Sequence, residues 1–184
     1  LRERLLDTYL GTVDDSPDQW RWSRTGPEGR WTPQPRDRER AFAKYDGVLA
    51  GLARGTIPAF VNFGEGYQEQ LGVMAYQRTL DRQLLSLLDW PVWDSVTSEF
   101  EAALTDSVIA LAVAQLPPEY LAGGASFLAS GLRARRDLLP KAALGLYRLV
   151  NQEAAFFGTT GADTVTVTRM QDGALELAFQ GGFR

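Results

Sequence analysis

The sequence predicts a mainly α chain with two small β-hairpins, an α+β arrangement in one domain over residues 1–184. Three observations predict it. Apolar residues recur at helical spacing in the opening segment and again from about residue 69 onward. Two segments, 19–36 and 163–180, alternate apolar with polar residues around the turn signals GPEG and QDG. A chain of 184 residues with 45% apolar content buries roughly 70% of its unfolded surface, so one core suffices without staples.

The elements follow in order. LRERLLDTYLG places Leu1, Leu5, Leu6, Tyr9 and Leu10 at helical spacing, and Gly11 is placed to end that helix. DQWRWSRT puts Trp20 and Trp22 on one face and Arg21 on the other. With GPEG as the turn and RWTPQPR as the return arm it forms a hairpin, whose Pro33 and Pro35 must lie on an exposed edge. AFAKYDGVLAGLARG reads as one or two short helices and IPAFVNFGEGY as irregular. DRQLLSLLDW is helical and stops before Pro91, PVWDSVTSEFEAAL carries that proline in its first turn, and TDSVIALAVAQL offers Thr105 as N-cap. PPEYLAGGASFLASGLRARRDLL and PKAALGLYRLVNQEAAFF read as separate helices, the second starting at Pro140. DTVTVTRMQDGALELAFQ is the second hairpin, with Asp172–Gly173 as its tight turn. The domain thus divides into a helix plus hairpin (1–46), a helical body (47–158) and a C-terminal hairpin (159–184). The chain begins at Leu1, inside a helical pattern, and is expected to be a piece of a longer protein.

Composition excludes several function classes. The net charge of −4 argues against nucleic acid as a partner, since phosphate backbones want a basic surface. No histidine is present, which removes His-type zinc sites, His general bases and Ser-His-Asp triads. No cysteine is present, which removes disulfides and thiolate chemistry. Acid–base work falls to Asp, Glu, Lys or Tyr. The longest apolar run, VIALAVAQL, is far short of a membrane span.

Residues 1–46 hold 18 of the 42 charges, nine of each sign, together with Trp20, Trp22, Trp31 and four prolines. Such a polar, turn-rich, aromatic region resembles a site more than a core. Within it GTVDDSPDQWRW crowds Asp14, Asp15 and Asp18. Phosphoryl transfer uses a carboxylate to accept the hydroxyl proton and a nearby oxygen side chain to hold magnesium. Asp14-x-x-x-x-Gln19 has that spacing, and Asp37 follows on the far arm of the hairpin, where it would share the same Mg²⁺. The same spacings also suit Asp14 and Asp15 capping a turn and Asp37 pairing with a neighbouring arginine. GEGYQEQLG lacks a dinucleotide fingerprint. RARR at 133–136 reads as a solvated helix face, with an anionic partner surface as the alternative. Trp90 and Trp93 suit core or staple positions, and Lys44 and Tyr45 suit the surface.

The run LRERLLDTYLGTVDDSPDQWRW…PQPRDRERAFAKYDGVL resembles a kinase-like pattern of large bacterial envelope proteins that also carry metallophosphoesterase-like and outer-membrane barrel regions. It resembles the helical C-lobe of atypical kinases of the CotH and secreted-kinase kind. VNFG, LDRQLLSLLDWPVW and LRARRDLLPKAALGLYRLV extend the resemblance over nearly the whole chain. It implies Asp14 as catalytic base, Gln19 and Asp37 as ligands of Mg²⁺ on ATP phosphates, and a place in the cell envelope, periplasmic or outer-membrane associated. Partners would be a nucleotide and other domains of the parent protein. The chain departs from the pattern at Thr12, Val13, Asp15 and Ser16, where the family has Asp, Trp, Arg and His. Those changes remove groups that would orient Asp14 and add a like charge beside it. A divergent kinase-like domain and a non-catalytic interaction or scaffold domain both remain open.

Overall fold

The structure, a computed structural model, describes residues 1–13, 17–53, 56–57, 60–74, 79–153 and 158–180, and only the backbone at 17, 68, 69 and 73. It is mainly helical with two small antiparallel sheets, as the periodicities require. The chain divides into two compact units, Leu1–Gln152 and Glu153–Arg184.

In the first unit, α1 (Arg2–Leu10) ends at Gly11, whose φ of 84° is left-handed backbone that glycine adopts without a Cβ penalty. A ribbon follows, β1 (Trp20–Ser23) paired with β2 (Thr32–Pro35) in the register Trp20↔Pro35, Arg21↔Gln34, Trp22↔Pro33. A two-stranded ribbon has only edges, so both prolines fit. The helical body comprises α2 (Val48–Ala53), α3 (Gln68–Met74), α4 (Thr79–Leu85), α5 (Trp90–Ala103), α6 (Asp106–Ala114) and α7 (Pro118–Val150). Asp89 caps α5 by accepting the Val92 N–H at 3.3 Å, and Pro91 lies in its first turn, where no N–H is needed. Thr105 caps α6 by accepting the Val108 N–H at 3.2 Å.

Pro140 does not start a new helix. It lies inside the continuous, 33-residue α7. Proline removes one helical N–H donor, but Pro140 is on the exposed face, where water can serve the carbonyl left over. On the opposite face Arg135, Leu139, Ala142, Ala143 and Leu146 are all buried. That uninterrupted stripe holds the helix together across the break. It also makes α7 the spine of the unit, because it contributes to both apolar clusters. One joins Leu132 and Leu139 to Tyr9, Phe63, Tyr67 and Ile109; the other joins Leu146 and Val150 to Met74, Leu85 and Trp93.

The second unit is a hairpin, β3 (Thr164–Arg169) and β4 (Leu175–Gln180), with Val165 opposite Phe179 and Val167 opposite Leu177. The pairing continues to Met170, whose N–H donates to the Ala174 carbonyl at 2.8 Å. The turn is therefore the three residues 171–173, closed by the Gly173 N–H donating to the Met170 carbonyl, with Gly173 left-handed at φ 88°. Among the described residues, no helix is long and apolar enough to cross a membrane.

Candidate functional site

The first ribbon sets the geometry. After Gly11 the chain passes buried Thr12 and Val13. Asp14, the expected base, and Asp15 lie outside the described residues. The chain continues in a single 3-10 turn, Pro17–Gln19, that runs directly into β1. The Gln19 carbonyl accepts the Arg36 N–H at 2.8 Å, one step beyond the Trp20↔Pro35 pair. Residues just before β1 and just after β2 therefore stand side by side, and Asp18, Gln19 and Asp37 share the open end of the ribbon. Gln19 is half-buried and Asp37 exposed. One oxygen of Asp37 accepts the Glu39 N–H at 3.0 Å, a local turn that fixes the carboxylate while leaving its other oxygen for a ligand.

Arg38 anchors this end to α1. Its Nε donates to Asp7 Oδ1 at 2.7 Å and its Nη2 to Glu3 Oε2 at 2.6 Å. Glu3 and Asp7 are four residues apart on one helix face, so one planar guanidinium spans both. Asp37 faces solvent while its successor is clamped, which gives the exposed carboxylate a fixed base. Burial pushes the Asp7 carboxyl above its ordinary 3.8, and the hydrogen bond and charge of Arg38, with the charge of Arg4, pull it back only in part.

A carboxyl raised in the folded state binds more protons folded than unfolded. Its contribution to stability is fully present below pH 3.8 and declines as pH rises through the folded value. Asp7→Asn removes this dependence. The stability of the parent minus that of Asp7→Asn should therefore fall as pH rises above 3.8. Melting curves at several pH values check this, and parallel curves would contradict it.

Beneath the site lies a buried guanidinium. Arg135, on α7, is 1% exposed. Its Nε donates to the Tyr9 carbonyl at 2.8 Å, and Nη1 to those of Gly66 at 2.6 Å and Gly64 at 3.2 Å. Its Nη2 donates to the Thr8 carbonyl at 2.6 Å and to Gln70 Oε1. All five N–H donors are thus used. Gln70 in turn donates to the carbonyls of Thr8 and Thr12. The Tyr67 ring covers the cation at 3.9 Å, and the Tyr67 hydroxyl donates to the Arg135 carbonyl at 2.7 Å. Arg135 thereby caps the C-terminal end of α1 from another helix, where a cation also opposes the helix dipole. It fixes the direction in which the chain leaves α1.

This corrects the reading of RARR as a solvated face. Arg133 and Arg136 do face outward and pair with Asp106, but Arg135 enters the core because it falls in the stripe Gly131–Leu132–Arg135–Leu139. An arginine at an apolar-stripe position was the available signal. For the Glu3–Asp7–Arg38 clamp, the spacing of the two acids on α1 was the only hint.

A cleft of about 510 Å³ opens beyond Asp37, its wall including Glu39, Phe42, Lys44, Phe63, Tyr120 and Phe127. Phe42 has a φ of 59°, left-handed backbone that is costly for a residue with a Cβ. Its N–H donates to the Leu10 carbonyl at 3.1 Å, and its ring meets Phe63 edge-on at 5.2 Å. These contacts hold the strained residue at the cleft wall.

The donors at the ribbon's end suit magnesium in type. Carboxylate and carboxamide oxygens are hard ligands, and Mg²⁺ on a nucleotide commonly takes one or two protein oxygens, the rest coming from phosphate and water. Among the described residues no cluster of three His, Cys, Asp or Glu is arranged around a metal position. No family model, curated protein or solved structure matches the chain.

Proposed function

We propose that the chain is a divergent kinase-like domain of a bacterial envelope protein that holds a Mg²⁺-nucleotide at the open end of its first ribbon. One observation carries the reading: the Gln19 carbonyl accepts the Arg36 N–H, so residues 19 and 37 lie at one end of the ribbon. In this reading Gln19 and Asp37 supply oxygen ligands, and Arg38, clamped on α1, keeps Asp37 in position. The metal, when bound, neutralises phosphate charge. Asp14 is the base that would accept an acceptor's hydroxyl proton. With Asp15 and Ser16 beside it, in place of Arg and His, proton transfer is weakened, and nucleotide binding is the property expected to persist.

A second reading, an interaction or scaffold domain serving other parts of the parent protein, is favoured by α2. Its Val48, Leu49 and Leu52 are 84%, 81% and 74% exposed, an apolar face suited to a partner.

Mg²⁺ with ATP separates the two. At 100 times Kd a ligand adds about 2.7 kcal/mol of stability, which for a chain of this size raises Tm by roughly 5–10 °C. The parent should show this shift only when Mg²⁺ and ATP are both present. Asp37→Ala should lose it without a change in its own Tm beyond about 2 °C, since the side chain is exposed. Absence of any Mg²⁺-dependent shift in the parent would favour the scaffold.

A further inference from the structure

One side of α7, next to its buried stripe, carries a second, independent feature. Leu138, Lys141, Ala142, Gly145 and Arg148 are spaced by three or four residues and so share one side of the helix. Across from them stand Tyr67, just before α3, and Leu71 within it. Between the two walls is a slot of about 400 Å³, apolar along its length and within the size range of small-molecule sites. Gly145 keeps its floor open: a Cβ there would come within 3.0 Å of Leu71 Cδ1.

Two cations on this side of α7 differ from its others. The other described cations of the second half of α7 are engaged. Arg133 and Arg136 pair with Asp106, and Arg135 is saturated inside the core. Lys141 and Arg148 border the apolar slot, and among the described residues neither has a carboxylate or hydrogen-bond partner. The chain as a whole carries a net charge of −4, whereas this apolar slot is bordered by two unneutralised cations. They are seven residues apart, roughly 10 Å along the helix axis, and both side chains are long enough to swing over one head group between them.

We infer that this slot binds a single-chain alkyl carboxylate, its hydrocarbon lying between Leu138, Ala142 and Leu71 and its head group meeting Lys141 and Arg148. An apolar body matches the walls and a negative head matches the rim. A neutral alcohol would satisfy only the first, and a free inorganic anion only the second. The slot is formed by α3 and α7, separate from the ribbon end and its carboxylates, so this binding does not depend on the nucleotide reading.

Titration calorimetry with dodecanoate, kept below its micellar concentration, tests the assignment. The parent should bind it with a negative heat-capacity change, the mark of apolar burial. Dodecyltrimethylammonium of the same chain length should bind at least about tenfold more weakly, a difference of 1.4 kcal/mol. The double variant Lys141→Glu/Arg148→Glu alters two exposed side chains and should keep its melting temperature within a few degrees. It should invert the preference, losing dodecanoate and gaining the ammonium ligand. No dodecanoate binding by the parent would overturn the inference. So would equal binding of the two detergents, or dodecanoate binding unchanged in the folded double variant.

Discussion

Arg135→Ala should lose at least about 4 kcal/mol of folding stability, enough to unfold much of the population at 37 °C. The side chain is 1% exposed and supplies five hydrogen bonds, four to backbone carbonyls and one to Gln70. Removing it leaves those buried acceptors without their donor, at about 1–3 kcal/mol for each that water cannot reach. Arg135→Met separates the causes. It restores most of the apolar volume but none of the donors, so it should be nearly as damaging. Arg135→Lys keeps the charge with three donors instead of a planar five, and should fall between. Urea denaturation reads all three. A midpoint for Arg135→Ala close to that of the parent would mean that solvent reaches these carbonyls and that the guanidinium is dispensable.

Asp81→Ala should cost about 3 kcal/mol, the lower part of the range for breaking a buried ion pair. Arg4 Nε donates to both Asp81 oxygens at 2.8 Å, and both side chains are less than 5% exposed. The lower end applies because Arg4 Nη1 also lies 4.0 Å from Asp7 Oδ2, so some counter-charge remains. The paired variant Arg4→Met/Asp81→Leu removes both ions at once and should recover most of the loss. The pair then shows a coupling energy of about 2 kcal/mol in a double-mutant cycle. Additive single-site costs would show that the charges are solvated rather than mutually dependent.

How much of this was legible beforehand follows from the range of each interaction. Gly11 as a helix stop, Thr105 as a cap and the Trp20/Trp22 alternation are encoded within a few residues, and each is found where the sequence places it. The backbone pairing of Gln19 with Arg36 belongs to the same class, because a hairpin's register follows from its alternation and turn. Pro140 misled because a local rule was overridden by a buried stripe running past it on the other face. Arg135 and Arg38 were not legible as anchors. Their partners lie 126 and 31 residues away, and nothing near them in sequence distinguishes a clamped arginine from a solvated one.

The span of the Arg135 bonds bears on how the molecule is made. The carbonyls that finish the first helix are held by a side chain 126 and 127 positions later, so this cap is missing until α7 has been made. Ring closure over so long a stretch costs entropy that local contacts do not, and distant pairings of this kind slow folding. Within Leu1–Gln152 the C-terminal end of α1 is therefore completed late, since its carbonyls find their donor only once the spine has arrived.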